Sequence, residues 1–258
     1  MQAKKRFGQN FLVDNNVIKK IVDEVSSSCS DLIIEIGPGM GALTSLLKEK
    51  KSMLIAYEID LDLKKRLDLL EDSKTKVIYK DILSSNIKED IKDITYTDLY
   101  IVGNLPYYIT TPIIEHIIKQ NLVFKKLTIM VQKEVAERFM AKPKSKNYGY
   151  ITLVLKYFFD VYKVCDVPKY AFNPVPKVES TVVSFTMRDN KPEVDVEKYM
   201  EFLKVVFKQK RKTLKNNISG IYDWEKVLGV LMKYNYFQGV RAEELEENVL
   251  LDIFRAIL

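Results

Sequence analysis

Residues 32–41 read Leu-Ile-Ile-Glu-Ile-Gly-Pro-Gly-Met-Gly. An apolar run, Leu32–Ile36, interrupted only by Glu35, passes into a turn with glycine at 37, 39 and 41. That is a buried strand entering a tight loop. In an open α/β sheet the turn after the first strand faces the ligand crevice. Glycines there let the backbone approach a ligand without a Cβ in the way. Together with Ala42 the spacing also satisfies G-x-G-x-x-[GA], a dinucleotide pattern that decides little by itself. Further apolar runs follow at Met53–Tyr57, Val77–Tyr79, Leu99–Val102 and Leu127–Val131, with amphipathic stretches at 42–50, 60–71 and 112–120 between them. Continuous apolar runs alternating with helices predict a parallel sheet covered on both faces.

The stretch 148–162 reads equally as helix or strand, 178–187 alternates as a strand does, and a strand pair near the end of the domain would add an antiparallel edge to the sheet. Beyond Arg188, DNKPEVD reads as a linker, and 196–218, 223–234 and 241–257 read as helices with no strand between them. The expected fold class is therefore α/β: a Rossmann-like sheet with helices on both faces over 1–189, and a small all-helical domain over 190–258.

With 258 residues, 47% of them hydrophobic, the chain can bury a sizeable core, and a formal charge of +6 favours polyanionic partners. Two cysteines, Cys29 and Cys165, exclude a disulfide framework and a zinc cluster, and suit a reducing cytosol. No metal site is expected. The N-terminus, MQAKKRFGQNFLVDNN, lacks the apolar core of a signal peptide. No run approaches the ~18 apolar residues of a membrane span. The expectation is a cytoplasmic, membrane-free protein, with nothing to suggest anything but a monomer.

Acids recur where the strands end: Glu35 in the first, Glu58 after the second, Asp81 after the third. A pyrophosphate would be repelled by this set. Glu35 suits a cation, Glu58 the two hydroxyls of a ribose, and Asp81 an adenine amino group. S-adenosylmethionine offers all three and carries no phosphate. The fourth strand then ends in Gly103-Asn104-Leu105-Pro106-Tyr107-Tyr108, with no general base beside it. Transfer to an exocyclic amino group needs none. Asn104 Oδ1 and the Leu105 carbonyl, turned by Pro106, take the two amino hydrogens, and Tyr107 stacks on the base. Catalysis by positioning of this kind supplies roughly 7–11 kcal/mol in favourable cases. Tyr108 reads as a core aromatic. His116, the single histidine, reads as a partly buried helix residue rather than a catalyst.

FGQNFL (7–12), EIGPGMG (35–41), the Glu58 and Asp81 positions, GNLPY (103–107) and FNPVPKVES (172–180) resemble, in order and spacing, the ribosomal RNA adenine N6,N6-dimethyltransferases. The resemblance runs from about residue 6 to 185 and implies a class I methyltransferase fold. FGQNFL, Pro112 and FNPVPKVES resemble the KsgA branch in particular. That branch dimethylates two adjacent adenosines in a hairpin near the 3′ end of 16S rRNA during ribosome biogenesis. The macrolide-resistance branch, which modifies 23S rRNA, is the alternative. A non-catalytic RNA-binding factor on the same fold is another, and an NAD-dependent oxidoreductase rests on the glycine loop alone. Tyr108 departs from the family, many of whose members carry Asn there.

By resemblance, Asn10 and Leu12 contact the methionine part of the cofactor and Gln9 and Phe11 close that end. Gly37 and Gly39 form the cofactor loop, Glu58 holds the ribose, and Asp81 the adenine. Phe172 stacks on a flipped adenine opposite Tyr107, an exchange of stacking worth about 1–3 kcal/mol per base. The small ribosomal subunit is the implied partner. The run 204–218 carries Lys204, Lys208, Lys210, Arg211, Lys212 and Lys215 without an acid, and reads as a basic helix on RNA phosphates, joined by Lys4, Lys5 and Arg6.

Overall fold

In the computed structural model, which describes residues 9–258, the first strand-like run is flanked by parallel neighbours and fully buried. The strands are β1 (Phe11–Leu12), β2 (Leu32–Ile36), β3 (Met53–Glu58), β4 (Thr75–Tyr79), β5 (Leu99–Asn104), β6 (Lys126–Gln132), β7 (Phe159–Val167), β8 (Phe172–Asn173) and β9 (Ser180–Met187). The main sheet has the order β4-β3-β2-β5-β6-β9-β7. Strands β2 to β6 are mutually parallel, and β9 is antiparallel to β6, with β7 beyond it at the edge of the sheet. From β2 the chain steps outward to β3 and β4, then returns to β5 on the other side. That reversal leaves a crevice beyond the carboxyl ends of β2 and β5, where ligands of such sheets bind. The glycine turn follows β2, and Asn104 closes β5.

Helices α1 (Asn15–Asp23), α2 (Ala42–Leu47), α3 (Lys64–Leu67), α4 (Ile87–Asp90) and α5 (Thr110–Lys119) accompany these strands. Asp14 starts α1 by accepting from the amides of Asn16 and Val17, and Val17, Ile18, Ile21 and Val22 form its buried stripe. That stripe joins Leu12, Leu43, Leu47 and the strand residues Ile33, Tyr100 and Val182 in one apolar cluster. A separate pair, β1 and β8, is antiparallel, with Phe11 opposite Asn173 and Leu12 opposite Phe172.

The chain divides into two compact units: residues up to Ala136 with Val161–Met187, and Glu137–Asp160 with Arg188–Leu258. The boundary expected near 190 lies close to the later break. Segment 137–160, read as part of the first domain, groups instead with the second unit. Its ambiguous stretch resolves into helix followed by strand β7. The second unit holds α6 (Lys133–Phe139) from residue 137 onward, α7 (Tyr150–Phe158), α8 (Val196–Val206), α9 (Leu214–Ile218), α10 (Trp224–Lys233) and α11 (Glu247–Ile257). The aromatic face of α7 explains the grouping: the Tyr157 ring lies 5.5 Å from that of Tyr199 on α8.

The helix expected over 196–218, with its basic run at 204–218, is corrected to two helices and a turn. Buried Asn217 makes the break. Its Nδ2 donates to the carbonyls of Val206 (2.9 Å) and Gln209 (3.1 Å), and its Oδ1 accepts from the Gln209 amide. Thr213 then caps α9 through the Asn216 amide. Continuous helix would also set Lys208 and Lys212 one turn apart, a like-charge pair that destabilises helix.

Candidate active site

The crevice at the end of β2 and β5 is lined, all within the first unit, by Gln9–Leu12, the glycine turn, Glu58, Lys80–Leu83 and Asn104–Ile109. Its floor is Glu35, fully buried on β2. One carboxylate oxygen, Oε2, accepts from Thr44 Oγ1 at 2.7 Å, whereas Oε1 has no partner. Burial pushes the carboxyl up to about 7. A buried carboxylate oxygen without a donor is costly, and it marks a place for a cation.

Glu58 reaches back from the end of β3. Its Oε2 accepts from the Gly39 amide at 3.1 Å and its Oε1 from the Asp60 amide at 2.8 Å. Burial raises its pKa above the ordinary carboxylate value. The two bonds fix the carboxylate against the glycine turn, and each oxygen keeps a lone pair. Gly39 has φ +57°, and a Cβ there would come within 3.2 Å of the Phe11 ring. Phe11 therefore roofs the turn directly. Asp81 caps a short 3-10 turn through the Leu83 amide at 3.0 Å and faces the same crevice.

At the other wall, Asn104 Nδ2 donates to the Asn10 carbonyl at 3.0 Å. That bond fixes which end of the amide is which: Oδ1 is left as the acceptor. The Leu105 amide donates to the Met130 carbonyl at 3.3 Å, and among the described residues no donor reaches the Leu105 carbonyl. Among the described residues, these two oxygens of the same corner have no donor. Gly103, just before them, has no space for a side chain, since a Cβ would stand 2.7 Å from the Ile36 carbonyl. Tyr107 lies along the crevice with its hydroxyl 2.8 Å from Ser180 Oγ, and burial raises its pKa.

The structure brings together Gln9, Asn10, Leu12, Glu35, Gly37, Gly39, Glu58, Asp81, Asn104, Leu105, Pro106 and Tyr107. It does not bring Phe172. That ring is 2% exposed within the apolar cluster beside Leu12 and does not line the crevice. The expected stacking partner is thus a core residue in this structure. Tyr108 is corrected in the opposite sense: it is 60% exposed and lines the crevice. Two residues escaped the sequence reading. Asp60 accepts from Gln9 Nε2 at 2.8 Å and so ties the N-terminal strap to the end of β3. Ser180 fixes the Tyr107 hydroxyl. Only the acid two residues past Glu58 was a readable signal.

In the second unit Lys208, Arg211 and Lys212 are exposed on the turn between α8 and α9. Lys210, also exposed, has a structural bond as well. Its ammonium donates to the carbonyls of Lys146 (3.2 Å) and Tyr148 (2.9 Å), which pins the 142–148 loop to the turn. Exposed Lys142, Lys144 and Lys146 on that loop consequently join the cations of the turn. The Lys215 ammonium lies 5.2 Å from the Trp224 ring centre. Lys4, Lys5 and Arg6 lie outside the described residues.

The family model of the ribosomal RNA adenine dimethylases matches residues 1–257. The chain belongs to that family. Two curated relatives, each a "Ribosomal RNA small subunit methyltransferase A", match over nearly their whole length. That of Mycoplasmopsis pulmonis is 44% identical, with 98% of both chains covered; that of Mycoplasma mobile is 39% identical, with 97% of this chain and 96% of the relative covered. Among solved structures, a dimethyladenosine transferase from Plasmodium falciparum superposes with a TM-score of 0.78 at 27% identity, covering 94% of this chain and 95% of the other. The 23S rRNA methyltransferase ErmE superposes with a TM-score of 0.71 at 23% identity, covering 96% and 99%, and attests the fold. As a member of the dimethylase family the protein is an rRNA-modifying methyltransferase on a Rossmann-like sheet. No helix of the described residues is long and apolar enough to cross a membrane.

Proposed function

We propose that this protein transfers methyl groups from S-adenosylmethionine to N6 of two adjacent adenosines in the 3′ hairpin of 16S rRNA, giving N6,N6-dimethyladenosine on the small ribosomal subunit. The observation that carries the reading is the pair of oxygens with no donor among the described residues, Asn104 Oδ1 and the Leu105 carbonyl, on the wall of the crevice that Glu35, Glu58 and Asp81 also line. The residues suit the cofactor: the orphaned Glu35 Oε1 offers a buried anion to an ammonium, and Glu58 retains lone pairs for a ribose. When bound, the cofactor supplies a methyl carbon made electrophilic by an adjacent sulfonium.

The protein's own part is to hold and orient. In the first transfer Asn104 Oδ1 and the Leu105 carbonyl accept one amino hydrogen each; in the second, one hydrogen remains for one of them. Doing so favours a pyramidal nitrogen whose lone pair is freed from the ring. Tyr107, anchored by Ser180, presents a ring to one face of the base. After transfer the nitrogen is acidic and gives its proton to water, so no side-chain base is called on. Phe172, buried beside Leu12, is given no part here. The cations of the second unit, Lys208, Arg211 and Lys212 with Lys142, Lys144 and Lys146, contact phosphates without reading sequence. Lys215 does so at the margin, and Lys210 serves by holding the loop.

The test is a radiolabelled transfer assay on purified small and large subunits, with Asn104→Ala beside the parent protein. The expected result is label in small subunits alone, and a fall in kcat of about a hundredfold or more in the variant, as lost positioning costs. Cofactor affinity by calorimetry should be nearly unchanged. Label in large subunits would favour the 23S reading. Full activity of Asn104→Ala would remove the corner from the chemistry.

A further inference from the structure

The wall of the crevice that carries Asp81 is not self-supporting. The loop after β4 runs through Asp81, a 3-10 turn at Ile82–Ser84 and Ser85, and enters α4 after Asn86. Inside the loop, Ser84 Oγ and Ser85 Oγ both donate to the Asp81 carbonyl, at 3.0 and 2.9 Å. These bonds tie Asp81 to Ser85. Among the described residues, the side chains within hydrogen-bond reach of the Ser85 carbonyl are Gln120 and His116, at the end of α5, while buried Ile82 and Ile87 hold the loop by packing. Gln120 Oε1 accepts from the Ile87 amide at 2.6 Å, and Gln120 Nε2 donates to the Ser85 carbonyl at 3.2 Å. The acceptance from Ile87 fixes the amide's orientation, so the donation to Ser85 follows necessarily. His116, one turn earlier on α5, stands behind this amide, with Nε2 2.5 Å from Gln120 Nε2 and 2.9 Å from the Ser85 carbonyl. One imidazole nitrogen cannot both accept from Gln120 and donate to Ser85. Because the Ile87 amide fixes Gln120 Nε2 as a donor, the tautomer that fits leaves His116 Nε2 as the acceptor, and His116 buttresses the clamp.

Helix α5 also borders the crevice. It begins directly after Tyr108 and Ile109, and its buried Ile113 lines the crevice alongside them. Gln120 therefore bridges two walls of one site: the loop that presents Asp81 and the helix that follows the Asn104 corner.

We propose that Gln120 is a positioning residue for cofactor binding, setting where Asp81 stands by holding the Ser85–Ile87 backbone on α5. This rests on the reading of the crevice as the S-adenosylmethionine site. Gln120 touches no ligand itself and acts through Asp81. Loss of one neutral hydrogen bond weakens an interaction about three- to tenfold. Gln120→Glu keeps size and the acceptance from Ile87 but sets a carboxylate oxygen against the Ser85 carbonyl.

The experiment is calorimetric titration of S-adenosylmethionine into the parent protein, Gln120→Glu, Gln120→Ala, Asp81→Ala and the two double variants, with thermal melts of each. The expected result is a Kd raised about three- to tenfold by either change at Gln120. That increment should vanish when Asp81 is already alanine, because a residue acting through another is non-additive with it. In turnover, KM for the cofactor should rise with kcat held within about twofold. An unchanged Kd with a lowered Tm makes Gln120 merely structural and overturns the proposal. So does a Kd penalty that persists undiminished in the Asp81→Ala background. If the parent protein itself fails to bind the cofactor, the failure lies with the crevice assignment instead.

Discussion

Glu35 is the residue whose situation is most unusual. It is fully buried, with one oxygen satisfied and the other not, and its carboxyl titrates near 7 against an ordinary value of 4.5. The sign of the consequence follows from proton counts. Between pH 4.5 and 7 the folded protein holds a proton on Glu35 that the unfolded chain has already lost. Stability without cofactor therefore falls as pH rises through that window, by a few kcal/mol in all. Glu35→Gln escapes this cost. Its melting temperature should exceed that of the parent clearly at pH 8 and little at pH 5, in the absence of cofactor. Equal differences at the two pH values would show that the buried charge is not the cause. The same change should weaken S-adenosylmethionine binding, since the orphaned oxygen is what a cation would pair with.

At the scale of elements, the parallel strands were legible because they are largely apolar, and their predicted bounds differ from those observed by at most two residues at either end. The crevice was legible for a related reason. Most of its residues sit at the carboxyl ends of parallel strands, which the fold gathers on one edge of the sheet whatever the strand order. Long-range side-chain packing was not legible. Nothing around Phe172 distinguishes a ring that stacks on a base from one buried against Leu12, and the motif alone favoured the first. The break at 207–213 was hidden likewise, because its cause, Asn217, lies beyond it in the chain. An asparagine bonded to three backbone groups is hard to replace. Asn217→Leu should cost about 1–3 kcal/mol for the backbone groups left unpaired, read as a lower midpoint in urea. A midpoint within error of the parent would mean that the turn holds without it.

For the molecule as a whole, charge is the property that reaches furthest. Two segments of the second unit, remote in sequence and joined through Lys210, carry the exposed cations. Removing one phosphate-binding cation should lower the salt dependence of RNA binding by somewhat less than one. Replacing Lys142, Lys144 and Lys146 together by Gln should then flatten the slope of log K against log salt by roughly two to three. Filter binding of small subunits at several salt concentrations measures it; an unaltered slope would place the loop off the RNA. Cofactor affinity, set in the other unit, should not move.

The chain's path between the units has a consequence for how the protein can be cut. Helix α7 is encoded ahead of β9, yet its aromatic partner Tyr199 comes after it. A fragment stopped at residue 189 would complete the sheet but strand α7, baring Tyr157 and its neighbours to water. Such a fragment should be sticky and short-lived, and a self-sufficient catalytic half would require excising the middle stretch as well as the tail.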